Sequence, residues 1–194
     1  MAEKLTIDRK RSAILIMDYQ TAVVAGFGTD QEALLRRSAG VLKAARAAAL
    51  PVIYVVVGFR PDYPEISPRN LTFSGIKQSG RFASCDRDAE IHPEVAPQPG
   101  DLTIVKHRVS AFAGTDLEMI LRARDIDTLI LLGIATSGVV LSTIRYAADN
   151  DYRIIVIKDC CSDRDPEVHN CLTDKVFPRQ ATVITASDFL QALG

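Results

Sequence analysis

Thr128-Leu129-Ile130-Leu131-Leu132-Gly133-Ile134-Ala135-Thr136-Ser137-Gly138-Val139-Val140-Leu141-Ser142-Thr143 is the segment on which the fold turns. The apolar run from Thr128 to Leu132 reads as a buried strand, Gly133 breaks it, and a helical pattern begins within a few residues and continues to about Asn150. A strand, a tight turn and a helix N-terminus leave several backbone N–H groups unpaired and aim a partial positive charge at whatever sits above them. Such a turn can hold an anion or a developing oxyanion. Every strand-to-helix turn in an α/β protein offers some of this, so the turn alone names no chemistry.

The flanking sequence repeats the same unit. Ser12 to Met17 is an uninterrupted apolar run of the kind buried on both faces of a parallel sheet, and Asp18 ends it. From Asp30 the pattern is helical, with Leu34, Leu35, Val41, Leu42 and Ala45 inward and Arg36, Arg37, Lys43 and Arg46 on the wet side. Val52 to Val57, Leu102 to Lys106, Arg153 to Ile157 and Thr182 to Thr185 read as further strands. Helices are expected over Asp116 to Arg124, from Asp165-Pro166 to about Val176, and over Asp188 to Leu193 with Ser187 as cap. Gly58 to Gly100 carries six of the nine prolines and reads as irregular chain, the kind of stretch that serves as a lid, binding loop or subunit contact. The alternation predicts a three-layer α/β/α fold with a mostly parallel, doubly wound, Rossmann-like sheet of about six strands, as one domain over residues 1–194.

In such sheets ligands sit beyond the carboxyl ends of the strands. That rule selects Asp18, Gly58 to Arg60, Lys106, the Gly133 to Val139 turn and Asp159 to Ser162. Lys106 shares a strand face with Leu102 and Ile104, and a lysine in register with core residues needs a charge partner, for which Asp18 is the candidate.

Composition narrows the function classes. With 194 residues, 47% hydrophobic and 24% charged, the chain suits a soluble domain with a sufficient core. No apolar run is long enough to span a bilayer, and the opening Met1 to Arg11 lacks the apolar stretch of a secretory signal. A formal net charge of −1 with no long basic block argues against nucleic acid. A small molecule and further copies of the chain, as a dimer or tetramer, are the expected partners. Cys85, Cys160, Cys161 and Cys171 show no metal-binding spacing and are expected as reduced thiols in a cytoplasmic protein.

The pattern Gly133-Ile134-Ala135-Thr136-x-x-x-Val140-x-Ser142-Thr143 after an apolar strand resembles the signature of the isochorismatase-like hydrolases, also called cysteine hydrolases, which include nicotinamidases and carbamoylsarcosine amidohydrolases. Ala13 to Gln20 resembles that family's first strand ending in its catalytic aspartate, and Val105 to Leu117 resembles its catalytic-lysine segment. The resemblance implies Asp18 and Lys106 as catalytic residues. It places Val139 where amidase members carry the nucleophilic cysteine. It also implies a cis peptide between Ile134 and Ala135. Substrate contacts are expected from Gln20, Arg60, Phe112, Ile134, Ala135, Thr136 and Gly138. Nicotinamidase-type members hold a metal through Asp-x-His after the second strand; here the place reads Gly58-Phe59-Arg60-Pro61, so neither metal nor other cofactor is expected. His92, His107 and His169 lie at unrelated positions and read as surface or hydrogen-bonded residues.

Valine cannot attack a carbonyl. Isochorismatases offer a precedent for chemistry without the thiol, since they cleave a vinyl ether by protonation and water addition. The leading expectation is therefore a hydrolase of a small enol ether or related metabolite, with Asp18 as acid/base and Lys106 as its electrostatic partner. Two alternatives stand beside it: a catalytically silent small-molecule-binding member, and an amidase with a displaced thiol such as Cys161.

Overall fold

β1 (Ser12–Met17) is buried at all six positions, and its alternate residues feed opposite faces of the sheet. Ile14 and Ile16 pack with α2 (Gln31–Ala47) and α7 (Ala186–Leu193), whereas Ala13, Leu15 and Met17 pack with α4 (Leu117–Ala123) and α5 (Leu141–Asp149). A central parallel strand reads as a continuous apolar run because the period-two alternation serves two cores at once. The computed structural model of the chain describes residues 5–27, 30–83 and 86–193. Among these, β1, β2 (Val52–Val57), β3 (Leu102–Lys106), β4 (Thr128–Ile134), β5 (Arg153–Ser162) and β6 (Thr182–Ile184) form one six-stranded sheet in the order β3-β2-β1-β4-β5-β6. Every pairing is parallel. The strand order reverses between β1 and β4, which opens a crevice at their carboxyl ends.

Register brings three strand ends to that crevice. Met17 lies beside Val55 on one side and Gly133 on the other, and Val57 lies beside Lys106. Asp18, Lys106 and the turn after β4 therefore emerge at one edge of the sheet.

Four expectations are corrected by the structure. Gly133 does not end β4, which runs on to Ile134. A Cβ on Gly133 would meet Val140 Cγ2 at 3.0 Å and Met17 Cβ at 3.1 Å, so the glycine serves close approach of the turn to β1 rather than termination. β5 extends to Ser162, with a register shift opposite Leu131 and Gly133. Asp159 to Ser162 are thus part of the strand, not the loop beyond it. The irregular stretch contains α3 (Leu71–Ser79), and α1 (Thr21–Phe27) precedes α2. Local capping explains α3: the Asn70 side chain accepts from Phe73 N, and Gly80 at φ +68° closes the C-terminus. Finally, α7 is capped by Thr185, not Ser187. Thr185 Oγ1 accepts from Asp188 N, and Asp188 Oδ2 accepts from Thr185 N at 2.8 Å, a reciprocal capping box.

α6 (Pro166–Cys171) follows β5, with Asp165 accepting from Glu167 N ahead of Pro166. It continues as a wider turn over Leu172–Val176, where the sequence pattern implied one helix. No helix among the described residues is long and apolar enough to cross a membrane. Cys85 and residues 1–4 of the N-terminal arm lie outside the described residues.

Candidate active site

Asp18 leaves β1 with φ +57°, a left-handed conformation that aspartate tolerates better than most residues, and its N–H donates to Val55 O at 2.8 Å. Lys106 ends β3, two strands away, so the pair has to bridge about 9.6 Å of sheet over β2. A lysine's four-carbon stem covers that gap. Lys106 Nζ meets Asp18 Oδ2 at 2.8 Å and also donates to Arg108 O at 3.2 Å. Both side chains are nearly buried, at 3% and 9% exposure. Asp18 Oδ1 is buried and has no hydrogen-bond partner among the described residues. Burial pushes the Asp18 carboxyl above its usual range, and the Lys106 ammonium offsets only part of that.

The pair forms part of the wall of a cavity of about 560 Å³. Ile134, Ala135, Gly138 and Val139 line the same cavity, and the Ile134–Ala135 peptide is cis. The turn after it, Thr136–Val140, is a wide π-type turn leading into α5. Val139 is buried and lines the cavity with hydrocarbon alongside Asp18 and Lys106. The remaining walls come from α1 and α3, chiefly Val23, Phe27, Phe73 and Ile76, together with Phe82, and the lining includes Arg81 and Arg164.

Other residues singled out from the sequence stand elsewhere. The Gln20 side chain is spent on backbone, donating to Val57 O at 2.9 Å and Ala89 O at 2.6 Å while accepting from Val57 N. It lines a second cavity, as does Arg60, which pairs with Glu65 at 2.7 Å. Phe112 stacks on Tyr146 with centroids 4.5 Å apart, inside the α4–α5 core and away from the cavity, so it is a core aromatic and not a pocket wall. Thr136 neither caps α5 nor lines the cavity: its hydroxyl bonds His169 Nδ1 at 2.9 Å. Ser137 is exposed, and its N–H donates to Asp163 Oδ2 at 2.7 Å. Cys161 is buried opposite Gly133 and outside this cavity, and burial raises its thiol far above the ordinary value. His107 Nδ1 lies 2.6 Å from Gly58 O, and His92 Nδ1 accepts from Glu94 N. Among the described residues, no three His, Cys, Asp or Glu side chains gather as a metal-holding group.

Sequence reasoning missed the α1 and α3 walls, both arginines and the His169 brace. Asn70 and Gly80 bracket α3 as capping residues do, and that signal was available. Nothing in the sequence joins His169 to Thr136, because the contact depends on how α6 packs against the turn.

Comparison with known proteins agrees with this geometry. Residues 12–188 match the isochorismatase domain family. The chain is 31% identical to the uncharacterized isochorismatase family protein YecD of Escherichia coli O157:H7, covering 97% of this chain and all of that one. It is 32% identical to the ureidoacrylate amidohydrolase RutB of Caulobacter segnis, over 99% of this chain and 90% of the relative. The crystal structure of a cysteine hydrolase from Pseudomonas syringae pv. phaseolicola 1448A superposes with a TM-score of 0.88 at 25% identity, covering 100% and 98% of the two chains. Fold, strand-end geometry and sequence match together place this chain in the isochorismatase family of hydrolases.

Proposed function

We propose that this chain hydrolyses a small enol ether or a closely related substrate, with Asp18 as proton donor, Lys106 as its electrostatic partner and water as the nucleophile. The observation that carries the reading is the Asp18 carboxyl itself. One oxygen is held by Lys106, the other is buried without a hydrogen-bond partner among the described residues, the residue borders the cavity, and burial favours the protonated carboxyl.

In the proposed reaction the Asp18 O–H bond breaks and a C–H bond forms at the enol carbon, drawing the double-bond electrons and leaving an oxocarbenium ion. Lys106 stabilises the Asp18 carboxylate created by that transfer. Water adds to the cation and returns its proton to Asp18, and the resulting hemiketal collapses to a carbonyl compound and an alcohol. No covalent intermediate is needed, which suits a cavity where Val139 stands at the place the resemblance gives to a thiol. A displaced thiol is less well supported: among the described residues no cysteine lines the cavity, and burial pushes the Cys160 thiol up to about 12 and the Cys161 thiol further still.

Turnover of a panel of enol ethers and amides by the wild-type chain and by Asp18→Asn tests the reading. Enol ethers are expected to turn over, with kcat/KM reduced by about 10²- to 10⁴-fold in the variant. Absence of turnover in both proteins would leave a binding protein in place of an enzyme.

A further inference from the structure

The turn after β4 has two sides, and the proposed reaction uses only one. Ala135, Gly138 and Val139 border the cavity. Thr136 and Ser137, which lie between them in sequence, do not, and their polar groups are engaged elsewhere. Thr136 is fully buried, and among the described residues its hydroxyl has one partner, His169 Nδ1 at 2.9 Å. The Ser137 N–H donates to Asp163 Oδ2 at 2.7 Å. Asp163 and His169 both border a separate hollow of about 260 Å³, whose lining includes neither Asp18 nor Lys106.

Helix α6 holds the imidazole in place. Pro166 opens its first turn, Asp165 Oδ1 accepts from Glu167 N at 2.8 Å, and Thr173 Oγ1 donates to His169 O at 2.9 Å. A hydrogen bond is directional, so the contact between hydroxyl and imidazole fixes the orientation of the turn as well as its distance from α6. The start of the turn is also tight against β1. A Cβ on Gly133 would meet Met17 Cβ at 3.1 Å and Val140 Cγ2 at 3.0 Å, and Met17 is the residue before Asp18. With so little slack, a turn released from α6 changes where a substrate lies relative to the Asp18 carboxyl.

We propose that His169 is a positioning residue: through Thr136 it holds the turn that walls the cavity beside Asp18, and so sets the placement of the substrate against the acid without touching either. The proposal rests on this cavity being the reaction site. Because neither His169 nor Thr136 borders the cavity, losing their contact leaves the binding surface chemically unchanged and falls on kcat rather than KM.

Two measurements test it on His169→Ala, His169→Asn, Thr136→Val and the His169→Ala/Thr136→Val double variant. In amide hydrogen exchange followed by mass spectrometry, residues 134–141 of His169→Ala and of Thr136→Val are expected to exchange about tenfold faster than in the wild-type chain, the effect of one lost hydrogen bond, with β1 unchanged. In turnover of an enol ether, both single variants are expected to lower kcat about ten- to a hundredfold while KM stays within about twofold. His169→Asn, whose amide puts a hydrogen-bonding atom where Nδ1 stands, keeps kcat within about threefold of wild type. The double variant is no slower than the slower single variant. Unchanged exchange over 134–141, a loss carried by KM, a deficit in His169→Asn as deep as in His169→Ala, or additive losses in the double variant overturns the proposal. Should the wild-type chain turn over nothing, the proposed reaction fails, and the exchange measurement alone decides whether His169 holds the turn.

Discussion

Asp18 and Lys106 each depend on the other. Above the raised pKa of Asp18 the pair is ionised and removing one charge strands its partner, so in that range Asp18→Asn and Lys106→Met are each expected to cost about 3–5 kcal/mol of folding stability. The double variant recovers much of that loss, and a denaturant-unfolding cycle measures the coupling. The proposed acid role of Asp18 also sets the sign of the pH profile. Only protonated Asp18 can donate, and burial raises its pKa, so kcat/KM falls as pH rises past that elevated value; a rate that instead climbs through this range would mark Asp18 as a base. His169 acts on stability in the opposite sense. Burial lowers its pKa from the ordinary 6.5, so the unfolded chain binds the proton first as pH falls. Stability therefore declines as pH drops below about 6.5 and levels off once both states are protonated. Unfolding midpoints across this window should fall less steeply for His169→Asn than for the wild-type chain. Asp18 and Lys106 were legible in the sequence because each is a polar residue closing an apolar strand. Gln20, Arg60, Phe112 and Thr136 were misplaced because a residue's distance along the chain from a strand end says nothing about which neighbour its side chain meets.

Among the elements, β1, β2 and β4 were readable in the sequence because burial on both faces leaves only apolar runs. The ends of β4 and β5 were not, because a glycine and a polar tail look like termination until the partner strand is known. Gly133 tests that point. With backbone and side-chain atoms already within 3.0–3.2 Å of any added Cβ, Gly133→Ala is expected to destabilise by about 1–3 kcal/mol in chemical unfolding. A neutral effect would show that the turn can move off β1. Helix α3 was hidden within a proline-rich stretch and is held at its ends by Asn70 and Gly80. Asn70→Ala should cost about 1 kcal/mol through loss of the cap. Because α3 supplies Phe73 and Ile76 to the cavity, the same variant should raise KM with kcat retained.

The molecule as a whole follows from one topological fact, the reversal of strand order between β1 and β4. That reversal opens the crevice, and the register sets Asp18, Lys106 and the Val139 turn around it. Helices could be assigned to a face only once the sheet order was known, which is why the fold class was legible and the cavity walls were not. The same packing seals the β5 thiols. Cys171 is exposed and should alkylate readily, whereas Cys160 and Cys161 should react only on the timescale of unfolding, as peptide mapping after iodoacetamide treatment would show. Activity is expected to survive that treatment, since no cysteine borders the reaction cavity among the described residues. The most direct test follows the proton to carbon: hydrolysis of an enol ether in D₂O by the wild-type chain and by Asp18→Asn, with the product read by mass spectrometry. Wild-type turnover that places a single deuterium on the former enol carbon, lost with the Asp18→Asn variant, is the expected result. Turnover that is undiminished in Asp18→Asn, or a product formed without deuterium on that carbon, would contradict carbon protonation by Asp18.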